Sequence, residues 1–125
     1  MMIQMISKTL LPAIALLISI SAFGQKKMDA TKMAEYQTNL MKSELNLDEE
    51  QLTKVEEVNV RYSKKTADLM NKEGSMFGKM GDMKKIKKAK NQELERILSE
   101  EQMEKFEDEL EPQMRKTMRK KMSEE

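Results

Sequence analysis

The chain has 125 residues, of which 36% are charged and 4% aromatic, and it contains no His, Cys or Trp. That length fits one domain, and the missing side chains exclude a thiolate or imidazole metal site, a histidine general base, a cysteine nucleophile and a disulfide framework. With 23 Lys+Arg against 22 Asp+Glu, the chain lacks the basic excess of a general nucleic-acid binder, so nucleic acid is not an expected partner.

The first expected element is an export signal over residues 1–24. Lys8 precedes an apolar run from Leu10 to Ile20, 11 residues long. A membrane span needs about 20 residues to cross roughly 30 Å of hydrocarbon, whereas this run has the length of a signal h-region. Ala22-Phe23-Gly24 places small residues at −3 and −1, so cleavage is expected before Gln25. No Cys follows to carry a lipid. The mature chain, residues 25–125, is expected to be a single domain, periplasmic and without stable membrane insertion. Losing Lys8 leaves its basic and acidic residues equal in number.

From there on apolar residues recur at three and four, the helical period. They run Met33, Tyr36, Leu40; then Leu52, Val55, Val58, Tyr62, Leu69; then Met83, Ile86, Leu94, Ile97; then Met103, Phe106, Leu110, Met114, Met118. No useful stretch alternates with period two. The fold class predicted is all-α, about four amphipathic helices in a thin hairpin-like arrangement, cradle-shaped in one version. The first helix is expected from about Met28 to Leu45, and the second from Glu49 to about Lys72. Gly74, Gly78 and Gly81 then read as a long flexible connection where the chain reverses, with the third helix running from about Asp82 to Leu98. The fourth starts after Ser99. Pro112 cannot donate to the Asp108 carbonyl and crowds it, yet Met114, Met118 and Met122 continue the i, i+4 row, so a kink or restart is expected rather than an end.

Charge in this half comes in blocks. Residues 72–90 carry seven Lys against Glu73 and Asp82, and residues 91–111 carry nine acids against Arg96 and Lys105. The plain interpretation is solvated helix faces that pair with one another. The sharper one is a basic patch around Lys84, Lys85, Lys87, Lys88 and Lys90 that meets an acidic partner or anionic lipid.

The most informative pattern is a duplication. The segment from Leu47 to Glu56, LDEEQLTKVE, recurs 51 residues later from Leu98 to Glu107 as LSEEQMEKFE, with six of ten positions identical. Each copy is a helix start. Asp48 and Ser99 are favoured N-caps, and Gln51 and Gln102, three residues on, complete capping boxes. Leu47 and Leu98 precede the caps, where they can close over Leu52 and Met103 as hydrophobic staples. The Glu pairs suit the positive end of the helix dipole.

With these two boxes in an exported, Met- and Lys-rich helical chain, the sequence resembles the Spy/CpxP family of periplasmic proteins, marked by two LTxxQ motifs. Here they stand as LDEEQ (47–51) and LSEEQ (98–102), with Asp and Ser in the Thr place. The resemblance implies a helical, dimeric, cradle-like protein. Its partners would be unfolded or partly folded exported proteins, held without ATP, or the periplasmic domain of a membrane sensor that it restrains. The stretch between the motifs is shorter than in the best-known chaperone member, which implies a smaller cradle. The His-based metal sites of some relatives have no counterpart here, and no cofactor is implied.

Methionine adds its own support for a binder. Eleven of the 14 Met follow residue 24, and a flexible thioether fits irregular apolar partners. Met76, Phe77, Met80, Met83 and Ile86, with Lys84 and Lys87 beside them, and Met118 near the end, are the candidate client-binding residues. Ordinary core filling is the competing interpretation for Met33, Met41, Met70, Met83, Met103 and Met114. A Met-only Cu(I) site is a remote alternative, and a purely structural helical protein is another. An enzyme is not expected. Carboxylates are many, but acid–base pairs need burial to shift their pKa, and the segment from Gly74 to Gly81 matches neither a phosphate loop nor an EF-hand.

Overall fold

The computed structural model describes residues 27–124; the expected export signal and its cleavage point lie outside them, as does the side chain of Met122. The described residues form helices and no strands, so the fold is all-α. Helix α1 (Ala30–Leu45) begins where the Asp29 carboxylate accepts from the Thr31 and Lys32 amides. It ends at Asn46, whose φ of 52° turns the chain left-handed, a conformation that Asn tolerates better than most residues. Helix α2 (Glu49–Met70) and helix α4 (Glu100–Lys105) start at the two predicted boxes.

Helix α3 (Met76–Ile97) corrects one expectation. It starts at Met76 rather than near Asp82, so Gly78 and Gly81 are helical and the connection shrinks to residues 71–75. Ser75 caps it, its hydroxyl accepting from the Gly78 amide at 3.1 Å. Each helical glycine costs about 1 kcal/mol relative to Ala, which a capped helix of 22 residues absorbs. Only Gly74, at φ 125°, needs the freedom of glycine. Lys79 fixes the bend from the other side, donating to the carbonyl of Met70 at the end of α2 and to that of Lys72 in the connection.

Past α4 the chain widens into a π-helical stretch (Phe106–Leu110) and continues as α5 (Glu111–Glu124). The Glu111 amide donates to the Phe106 carbonyl, five residues back. Pro112 follows directly. A wider turn placed before a proline relieves the crowding that its ring would impose on a tight α-turn, so the helical path continues, and Phe106, Leu110 and Met114 all face inward.

The duplication is thus structural as well. Each half turns back at its motif: α1 packs along α2, while α3 packs chiefly on α2 and meets the chain beyond α4 through Lys87 and Asn91, which both reach Glu111. Both bends lie at one end of the molecule, and the 71–75 turn joins the halves at the other. Met41, Val55, Val58, Tyr62, Leu94, Phe106, Leu110 and Met114 form the shared core. Val55 and Phe106, at equivalent positions of the repeat, are 0% and 1% exposed. The core also takes polar residues that the apolar periodicity passed over. Asn59 is fully buried on α2 and donates to Thr38 Oγ1 at 3.0 Å.

Candidate functional site

The two boxes form as local units and then meet. Asp48 accepts from the Gln51 amide at 2.7 Å while Gln51 Oε1 accepts from the Asp48 amide at 3.1 Å. Ser99 and Gln102 repeat the exchange at 3.2 and 2.9 Å. Leu98 is buried, and Leu47 packs half-buried against the core. Beyond the boxes, the two glutamine side chains pair with each other. Gln51 Nε2 donates to Gln102 Oε1 at 2.7 Å, and Gln102 Nε2 donates back to Gln51 Oε1 at 3.3 Å.

Each amide nitrogen also reaches the helix end of the opposite half. Gln51 donates to the Ile97 carbonyl at 3.1 Å, and Gln102 to the Leu45 carbonyl at 3.0 Å. These carbonyls are C-terminal groups that α3 and α1 leave without helical partners. The two motifs therefore clasp the two halves at their bends. Lys105 adds an asymmetric tie, donating to the Glu44 carbonyl at 3.0 Å, whereas its counterpart Lys54 pairs within its own helix with Glu50. Asp48→Ala and Ser99→Ala should each destabilise the fold by about 0.5–2 kcal/mol through loss of a cap. Thermal melts of both variants measure this, and unchanged midpoints at both sites would remove capping as the role of these residues.

The opposite end is lined by methionine. Met28, Met33, Tyr36, Met70, Met114, Thr117 and Met118 surround an open cleft of about 440 Å³ between the start of α1, the end of α2 and α5. Lys27, Lys32 and Lys121 stand among its lining residues. Its walls are tied: Tyr36 donates to Thr117 Oγ1 at 3.1 Å, and Asn71 exchanges two hydrogen bonds with the backbone of Met28. Behind it, Lys90 of α3 donates to Gln37 Oε1 at 2.8 Å and lies over the Phe106 ring. Burial lowers the Lys90 pKa to about 8, with Glu111 opposing the shift. A larger groove of about 760 Å³ runs along α1 and α2, with Val60 exposed beside Ala34, Ala67 and charges of both signs.

The client-binding candidates do not form one surface. Met76, Phe77 and Met80 are exposed on the first turns of α3, with Lys84 and Lys87 exposed farther along. Met83 and Ile86 turn partly inward, and Ile86 packs against the core. Met118 belongs to the cleft. Met76, Met80, Met83 and Leu94 share one face by their spacing, but burial along that face sets in only from Met83 onward, so the first turns of α3 stand beyond the core. The methionines sort accordingly: Met41, Met103 and Met114 are buried, while Met33, Met70 and Met83 are half-buried. The cleft was not foreseen, since Met28, Met33, Met70 and Met114 come together only through packing.

Residues 22–106 match the family model for a domain of unknown function, DUF4890. The chain belongs to this family. No curated protein and no solved structure matches it. The DUF4890 match takes in both boxes and ends at Phe106, where the π-helical stretch begins. The clasp is thus wholly inside the DUF4890 region, and α5, which supplies Met114 and Met118 to the cleft, lies beyond it.

Proposed function

We propose that the protein is an ATP-independent holdase of the Spy/CpxP kind. It is exported with cleavage before Gln25, works as a homodimer in the periplasm, and holds unfolded or partly folded clients. The observation that carries this reading is the methionine-lined cleft. Unbranched thioethers accept side chains of many shapes, and the lysines around the opening keep the surface soluble and hydrated. A cleft of this size is in the usual range for binding an apolar group. The paired boxes add support, because they hold the bends together at the end of the molecule away from the cleft.

A light-scattering assay tests the reading directly. At stoichiometric ratio, and without nucleotide, the chain beginning at Gln25 should slow aggregation of an unrelated denatured protein. Met33→Gln combined with Met118→Gln keeps side-chain length and helix propensity but makes the cleft polar. This variant should lose suppression several-fold with little change in melting temperature. An aggregation rate that the wild-type chain leaves unaltered would rule the holdase out.

A further inference from the structure

We propose that the first half of α3 is a docking surface for an anionic lipid bilayer. The large apolar side chains exposed among the described residues are Val60 and three on this one segment: Met76 at 50%, Phe77 at 85% and Met80 at 50%. None of the three lines either cleft. They project from the molecule, and α3 has Leu94, near its far end, as its one fully buried residue. An added Cβ at Gly81 would meet nothing within 4 Å, so the outer side of this turn is uncovered.

The basic residues lie on the same side. Phe77, Lys84 and Lys88 are seven and then four positions apart, which stacks them along one stripe of an α-helix. Met80 and Lys84, four apart, continue it. Lys84, Lys85 and Lys88 are exposed and make no ion pair among the described residues. Lys87, 3.4 Å from Glu111, and Lys90, which donates to Gln37, are the engaged members of the basic run. Asp82, the one acid of this half-helix, lies roughly 140° round from Phe77.

An apolar tip set among uncompensated lysines has the two features that hold a helix at a membrane surface. Apolar side chains enter the acyl boundary and cations face anionic headgroups. A second copy is a poor occupant, since two such faces bring like charges together. A protruding Phe also needs a matching hole in a rigid partner, whereas a bilayer deforms to admit it. No described helix is long and apolar enough to cross a membrane, so the contact is adsorption and reversible. It is separate from the holdase reading, because it uses neither the cleft nor its residues.

The test uses the chain beginning at Gln25, the form that the proposed export cleavage yields. Cosedimentation is measured with vesicles of phosphatidylglycerol mixed equally with phosphatidylcholine, and with phosphatidylcholine alone. Binding is expected to the anionic vesicles and not to the neutral ones. Combined Met76→Ser, Phe77→Ser and Met80→Ser should lower the partition coefficient at least roughly tenfold, and so should combined Lys84→Gln, Lys85→Gln and Lys88→Gln. Circular dichroism should find both variants as helical as the parent. If the serine variant loses helicity, the lysine variant and Phe77→Ala decide in its place. Absence of binding to anionic vesicles, or equal binding by parent and variants, overturns the proposal. So does lysine-dependent capture of polyglutamate with no vesicle binding, which would assign the surface to an acidic polypeptide.

Discussion

Gln102→Leu is expected to destabilise the protein by about 2–3 kcal/mol, more than the loss of either N-cap residue. The substitution leaves the Leu45 carbonyl and the Ser99 amide without their side-chain partner and removes both of its hydrogen bonds to the Gln51 side chain. Each polar group left unsatisfied where water reaches it poorly costs about 1–3 kcal/mol, and the half-buried position of the pair moderates the sum. Gln51→Leu should behave alike, orphaning the Ile97 carbonyl. The double variant distinguishes a clasp from two local boxes. If the boxes act independently, the two losses add to within about 0.5 kcal/mol. If the glutamines act as a pair, the double variant should cost less than that sum by about 1 kcal/mol or more, since two facing leucines leave fewer unpaired amides than one leucine opposite one glutamine. Urea unfolding of the four proteins reads the difference, and strict additivity would dismiss the clasp.

Stability should rise between pH 8 and pH 10, an unusual direction for a lysine-rich protein. Burial lowers the Lys90 pKa from 10.5 to about 8. Between these values the folded chain has lost the Lys90 proton while the unfolded chain still binds it. Unfolding then takes up a proton, and raising the pH opposes unfolding, by up to about 1.4 kcal/mol per unit. The gain over the whole window is on the order of 3 kcal/mol, complete only once the pH passes the unfolded value. Tyr62 works in the opposite sense at the upper edge. Its hydroxyl donates to Glu93, which raises the phenol above its usual 10.0, so the unfolded chain ionises first and stability is lost above pH 10. Lys90→Met should flatten the curve from pH 8 to pH 10. Denaturant melts at unit pH intervals provide the check, and a parent curve as flat as the variant's would mean that Lys90 stays hydrated.

The all-α class and most helix boundaries were legible in the amino-acid sequence, for a local reason. Apolar spacing, Asp48, Ser99 and the glutamines act within a few residues of one another, so their pattern carries the helix starts directly. The start of α3 was not legible in the same way. Ser75 is a cap signal, but three glycines within eight residues outweigh it in any local reading, and the Lys79 bonds that secure the bend depend on where α2 ends. Pro112 was legible as a disturbance, whereas the π-helical stretch that accommodates it also answers to the packing of Phe106 and Leu110. The polar core residues Asn59, Ser63 and Thr66 interrupt the apolar pattern because their place inside is set by neighbouring helices.

The candidate site divides along the same line. Composition marked methionine as unusual, and the glycine-rich segment drew attention to Met76, Phe77 and Met80, which are exposed although that segment is helical. The pairing of Gln51 with Gln102, the cleft from Met28 to Met118 and the burial of Lys90 join residues as far apart as 90 positions. Sequence determined where α2 and α4 begin and which residues recur at helical spacing, since those depend on interactions within a turn or two. Tertiary structure alone decided which helix ends meet, because contacts between distant segments follow from how whole apolar faces close on a common core.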